Sequence, residues 1–199
     1  TGIVEASRIV RNSTAREGDI LYLTKPIGNG ILVCAHRAWN AKSAFRGEEP
    51  SLGEAIKWMT TLNRDASIAM QATGASAATD VTGYGLIGHL LEMCEGSGLG
   101  ATIHASAVPV LEGTRELLAR GFKPGGTMRN VKAFRDRVRL SVPESELTLM
   151  CDAQTSGGLL IAISSERAPL LETKLSESGL FYARVGTMTA GAGRITLEE

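Results

Sequence analysis

The polar and apolar positions along the chain alternate between strand and helix periods. Residues 20–24, ILYLT, form a β-rich run that Pro26, Gly28 and Gly30 bring to an end. Behind it, Ile31, Cys34, Ala35, Ala38 and Trp39 recur at the i, i+3, i+4, i+7, i+8 spacing of an amphipathic helix. A loop, FRGEEP, follows at 45–50. Ser51 and Glu54 then stand at capping-box spacing ahead of a long stripe: Leu52, Ala55, Ile56, Met59, Asn63, Ala66, Ala69, Met70 and Thr73. The adjacent Thr60 and Thr61 are poor helix formers, so a break is expected near them, and Gly74 ends the segment.

The pattern then repeats. A run of small side chains ends at Asp80, glycines stand at 83 and 85, and Leu86, Ile87, Leu90 and Leu91 begin a helical stripe. A strand is predicted around Ala101–His104. Next comes a helix opening at Pro109, with Leu111, Thr114, Leu117 and Leu118 on one face, stopped at Gly121. FKPGGTMRN reads as a loop, and Val131, Phe134 and Val138 as a short helix. Leu159–Ile163 is a buried strand; Ala168, Leu171 and Leu175 mark a helix; two short strands around a glycine turn complete the chain. Strands and helices interleave without strict alternation, which predicts an α+β fold: a mixed sheet covered by helices.

Composition narrows the function classes. At 199 residues the chain suits one domain or one domain with a small appendage, and 43% hydrophobic with 21% charged residues is an ordinary globular balance. Lys+Arg and Asp+Glu each total 21, so the zero formal charge argues against nucleic acid or an anionic membrane as partner. No apolar run approaches the ~18 residues of a membrane span. Cys34, Cys94 and Cys151 are scattered without C-x-x-C spacing, which reads as reduced thiols in a cytoplasmic protein. His36, His89 and His104 show no metal-ligand spacing either. Asn12-Ser13-Thr14 fits a glycosylation acceptor, but no signal peptide accompanies it, so it is set aside. The opening stretch, TGIVEASRIVRNSTAREGD, reads as the tail of a preceding segment.

Three turns carry candidate chemistry. The first is Thr79-Asp80-Val81-Thr82-Gly83-Tyr84-Gly85. Free amides at a helix start, with glycines that admit an oxygen-rich group, suit a phosphate. A carboxylate there would repel phosphate unless a divalent cation bridges them, and Mg2+ commonly uses one or two carboxylates with phosphate oxygens. The same residues equally fit a tight turn capped by Thr82. The second turn, Gly28-Asn29-Gly30, has the same placement without a carboxylate; Lys25 beside it reads as a solvated lysine, or as a group reaching an anion. In the third, Asp152-Ala153-Gln154-Thr155-Ser156-Gly157-Gly158, the residues fit an Asx-type turn before a buried strand or a polar binding loop. Arg129, Lys132, Arg135, Arg137 and Arg139 read as a solvated basic face.

Three motifs in order, GDILYLTKPIGNGI, ATDVTGYGLIGHLLEMC and CDAQTSGGLLIAI, resemble the selenophosphate synthetase (selenide, water dikinase) family from about Arg11 to the end. The resemblance implies a fold like the C-terminal domain of aminoimidazole ribonucleotide synthetase. It implies residues 1–15 as the tail of an N-terminal ATP-binding domain and 16–199 as the C-terminal domain. It also implies an activity that makes selenophosphate from selenide, ATP and water, releasing AMP and phosphate, with Mg2+, in a cytoplasmic homodimer. Asp80 falls on the Mg2+-ligating Asp of the family's C-terminal domain. Thr79, Thr82, Gly83, Gly85, Asp152, Thr155 and Ser156 would line the nucleotide side. None of the three cysteines lies in the family's catalytic loop, so no catalytic residue is assigned here, and this half alone is expected to be inactive. Two alternatives stay open: a sister ATP-dependent enzyme of the superfamily, related to aminoimidazole ribonucleotide synthetase or thiamine-monophosphate kinase, and a non-catalytic domain of the same fold.

Overall fold

The computed structural model describes residues 4–41, 49–191 and 193–199. Most of the loop expected at 45–50 lies outside them. The elements are β1 (Ile20–Leu23), α1 (Asn29–Asn40), α2 (Gly53–Thr60), α3 (Arg64–Thr73), β2 (Ala77–Asp80), α4 (Gly85–Ser97), β3 (Gly100–His104), α5 (Thr114–Ala119), α6 (Gly125–Phe134), β4 (Val138–Leu140), α7 (Glu144–Met150), β5 (Leu159–Ile163), α8 (Ala168–Glu177), β6 (Ala183–Thr189) and β7 (Ile195–Glu198). The strands form one mixed sheet in the order β2-β5-β1-β6-β3-β7-β4. Pairing is antiparallel from β2 to β3 and parallel from β3 through β7 to β4.

The period of two in β1 explains why the sheet is covered on both faces. Leu21 and Leu23 point into the larger core with Leu160, Ala162 and the apolar faces of α1, α4, α5 and α7. Ile20 and Tyr22 point into a smaller core with Ile161, Ile163, α3 and α8. All four β1 side chains are therefore buried, as in strands packed on both sides. β2 is an edge strand, and residues 11–14 cover its free side: Ala78 N–H donates to the Arg11 carbonyl at 3.0 Å, and the Thr14 hydroxyl to the Ser76 carbonyl at 2.6 Å.

Several local expectations change. The stripe to residue 73 does break, between Thr60 and Arg64, but Leu52 rather than Ser51 precedes α2 and no side chain caps it. The helix expected at Pro109 starts only at Thr114, because residues 109–111 run beside Ile27 instead: Ile27 N–H donates to Pro109 O and Leu111 N–H to Ile27 O, both at 2.9 Å. The segment read as a loop at 122–130 holds the start of α6, which opens after Pro124. Val138 belongs to β4, paired to β7, and not to a helix. α7 had no clear period in its seven residues.

β6 carries a bulge opposite Leu21 and Tyr22. A Cβ at Gly186 would collide with the Thr102 carbonyl of β3 and lie 3.1 Å from Ile103 Cα. Gly186→Ala must therefore push two paired backbones apart. We expect a loss of about 1–3 kcal/mol, the usual cost of overpacking, in urea denaturation; an unchanged midpoint would show that β6 can shift freely.

Candidate functional site

Asp80 ends β2 with an exposed side chain. The chain then dives: Val81 is fully buried and its N–H donates to Gly158 O at 2.8 Å. The Thr82 carbonyl turns inward and accepts from the Gly85 N–H at 3.0 Å and the Gln154 N–H at 2.9 Å. Gly85 is required by this path. Its φ is +69°, and a Cβ would sit 2.6 Å from the Cys151 carbonyl carbon. Gly83 is not: its φ is ordinary, and nothing lies within 4 Å of where a Cβ would be. Open space is left at Gly83 that packing does not demand. Tyr84 precedes α4 and no side chain caps the helix, so Thr82 is not a cap. Its hydroxyl meets His89 Nε2 at 3.2 Å. The Thr79 hydroxyl donates to the Asp80 carbonyl at 3.2 Å, and Asn130 Nδ2 to Gly83 O at 2.9 Å.

The glycine turn before α1 is not an open anion site. The protein fills it. Gly28 and Asn29 donate their N–H groups to Gln154 Oε1 at 3.0 and 3.3 Å. Ile31 N–H donates to Asp152 Oδ2 at 3.2 Å, and the Gly30 N–H also bonds to that carboxylate. The four amides that a helix start leaves unpartnered are thus satisfied internally. Asp152 also accepts from the Thr127 hydroxyl at 2.8 Å and from Gln154 Nε2 at 2.9 Å. Gly30 is compulsory here, since its Cβ would lie 2.7 Å from Asp152 Oδ1.

Asp152 is wholly buried, and burial raises its carboxyl to about 6 despite these hydrogen bonds. Thr155 and Ser156 are exposed at the tip of the same loop. Three anchors hold that tip: Asn29 bonds Thr155 reciprocally at 3.0 Å, Asn63 Nδ2 donates to Gly157 O at 2.9 Å, and Lys25 Nζ donates to Ser156 O at 2.9 Å. Ser156 takes a left-handed φ of 51°, rare outside glycine. Lys25 is neither solvated nor open to an anion. It is buried at 2% exposure, it also donates to Thr61 O at 2.6 Å, and burial lowers its pKa.

Thr79–Gly85 and Thr155–Ser156 therefore meet at one surface, joined by the Thr82–Gln154 and Val81–Gly158 bonds, while Asp152 lies beneath it. Sequence reading missed the clamp residues Asn29, Thr127, Asn130 and Gln154, and the relay from Thr82 to His89 and Glu92. Asn29, Gln154 and His89 lay inside the quoted motifs, where the glycines drew more notice. No cluster of three or more His, Cys, Asp or Glu among the described residues is placed to hold a metal. One exposed carboxylate fits Mg2+ as a partial site, the kind in which the ion keeps waters and shares phosphate oxygens. All three thiols are free, and burial pushes Cys94 and Cys151 to about 12, which leaves them inert.

Residues 16–198 match the model of the AIR synthase related protein, C-terminal domain. The chain belongs to this family. Within the AIR synthase related proteins it is 43% identical over 190 residues to the selenide, water dikinase of Bordetella bronchiseptica, covering 96% of this chain and 53% of that protein. It is also 43% identical over 188 residues to that of Pseudomonas aeruginosa, covering 94% and 53%. The chain thus spans about half the length of the curated relatives it matches. The fold is shared with a thiamine-monophosphate kinase from Stenotrophomonas maltophilia, at a TM-score of 0.67 and 18% identity over 98% of this chain and 54% of that one. Hydrogenase maturation protein HypE in complex with ATP has a TM-score of 0.66 at 19% identity, over 98% and 51%.

The raised carboxyl of Asp152 has a pH consequence. Its folded pKa of about 6 lies above the ordinary 3.8, so between those values the folded state binds more protons and stability falls as pH rises. The span amounts to at most about 3 kcal/mol. In urea denaturation from pH 4 to 7.5, wild type should therefore lose stability with rising pH relative to Asp152→Asn. Parallel profiles for the two proteins would contradict it.

Proposed function

We propose that this chain is the C-terminal half of a selenide, water dikinase, which makes selenophosphate, AMP and phosphate from selenide, ATP and water. The observation that carries the reading is the Asp80 turn. An exposed carboxylate ends β2 three residues before a glycine whose missing side chain serves no packing need, on a turn held by backbone bonds to the 154–158 loop. The 43% identity to two named dikinases along nearly the whole chain supports the same activity.

In this reading Asp80 holds Mg2+ from one wall of a cleft, and an N-terminal domain of the same protein forms the other. Bound there, the ion would offset charge on the ATP phosphates. Phosphoryl transfer depends on such positioning more than on covalent protein chemistry. Gly83 leaves room for the phosphate side. The Gln154 N–H to Thr82 carbonyl bond keeps the turn from moving as charge accumulates. Thr155 and Ser156 are exposed on the loop joined to this turn. In this reading the catalytic group is supplied by the other half. A cytoplasmic homodimer completes the proposal.

The test is Asp80→Asn in the longer protein. The change keeps size and one carbonyl oxygen and removes the charge. Turnover, followed as selenide-dependent AMP formation, should fall by orders of magnitude, the several-kcal/mol scale of metal catalysis, and recover partly at high Mg2+. Metal-free melting should change little. Near-normal turnover with a lowered melting temperature would make Asp80 a structural residue and sink the reading.

A further inference from the structure

We propose that His89 and Glu92 are positioning residues that commit the Thr82 hydroxyl proton to the protein, so that Thr82 faces its ligand only as an acceptor. The three groups form a line. Thr82 Oγ1 lies 3.2 Å from His89 Nε2, and His89 Nδ1 lies 3.1 Å from Glu92 Oε2. A carboxylate only accepts, so Nδ1 carries the hydrogen that bonds it. In the neutral imidazole, Nε2 then has a lone pair and no hydrogen. Toward the neutral ring the Thr82 hydroxyl therefore donates.

A threonine hydroxyl has one hydrogen and two lone pairs. With the hydrogen spent on His89, it has nothing to give a phosphate oxygen. It can still accept from a cation or from the water of a cation. That is the complement Asp80 needs two residues away, and it assigns Thr82 to the metal side of the turn, not the phosphate side. The ring at the centre of the relay is held in place: His89 is 8% exposed on α4 and its ring lies 5.5 Å from that of Tyr84, while Glu92, one turn further along the same helix, is exposed. Outer partners that hydrogen-bond and orient the ligating groups are a common support of metal sites. The cation part of this inference rests on the Asp80 reading above; the hydroxyl part does not.

Two measurements on this 199-residue chain separate them. The first is the 15N NMR pattern of His89 at pH 8, which should show hydrogen on Nδ1 and none on Nε2. An Nε2–H tautomer, or a doubly protonated ring, would make His89 the donor and overturn the assignment. The second uses Mn2+ alone as probe and reads its broadening of the amide signals of residues 80–84. Glu92→Leu frees the tautomer, and Thr82→Val removes the acceptor. Each should raise the Mn2+ concentration needed by about tenfold, the lower end of what lost outer-shell partners cost metal sites, and the double variant should be no worse than either. Glu92→Gln keeps an acceptor for Nδ1–H and should restore wild-type broadening. If Asp80→Asn abolishes broadening while Glu92→Leu and Thr82→Val leave it intact, the relay has no part in cation binding and this inference fails. If Asp80→Asn itself changes nothing, the metal reading of Asp80 fails, and the cation role of Thr82 with it.

Discussion

The Asp152 carboxylate, buried beneath the first turn of α1, is the interaction on which the candidate site depends. A charge placed out of water is costly unless it is fully hydrogen-bonded. Here its partners come from three parts of the chain: the amides of Gly30 and Ile31, the hydroxyl of Thr127 on α6, and the amide of Gln154 in its own loop. The helix start favours the negative charge, and the charge completes the helix start. Gln154 extends the clamp by accepting from Gly28 and Asn29 and by donating its backbone N–H to Thr82. One buried acid thus ties α1, α6 and the 152–158 loop to the turn that presents Asp80.

Asp80 and Asp152 show how environment divides the work between two carboxylates. Asp152 spends every available contact inside the fold. Asp80 remains exposed, on a backbone that cannot easily yield, because Val81 is buried and Gly85 is locked against Cys151. Lys25 adds a buried cation that donates to the Thr61 and Ser156 carbonyls. The result is a rigid floor with an exposed acid on top. Such a surface suits a ligand that brings its own opposite charge and its own second wall.

Much of this was legible in the chain. The strands at 20–23 and 159–163 and the helices at α1, α4 and α8 have strong periods and were read correctly. So was the break at Thr60–Thr61, because two adjacent poor helix formers act locally. What was not legible depended on partners distant in sequence. Pro109 looked like a helix start until Ile27 claimed its neighbours as a ladder. Gly28-Asn29-Gly30 shares the placement of a phosphate-binding turn, and no local signal shows that residues about 120 positions later fill it. Lys25 reads as a surface lysine by type, and only the packing of two loops over it makes it buried. Thr82 fitted a cap by position, yet its true partner is His89 on the helix it precedes.

The central claim is that the Asp80 turn is a ligand-facing surface. A crystal structure of the proposed two-domain protein with Mg2+ and a non-hydrolysable ATP analogue tests it most directly. The account predicts a cation at the Asp80 carboxylate, at the roughly 2.0–2.1 Å of Mg2+–oxygen bonds, with phosphate oxygens over Gly83 and an unmoved Asp152 below. A filled nucleotide site with Asp80 bonded only to protein, or turned away from the cation, would contradict it.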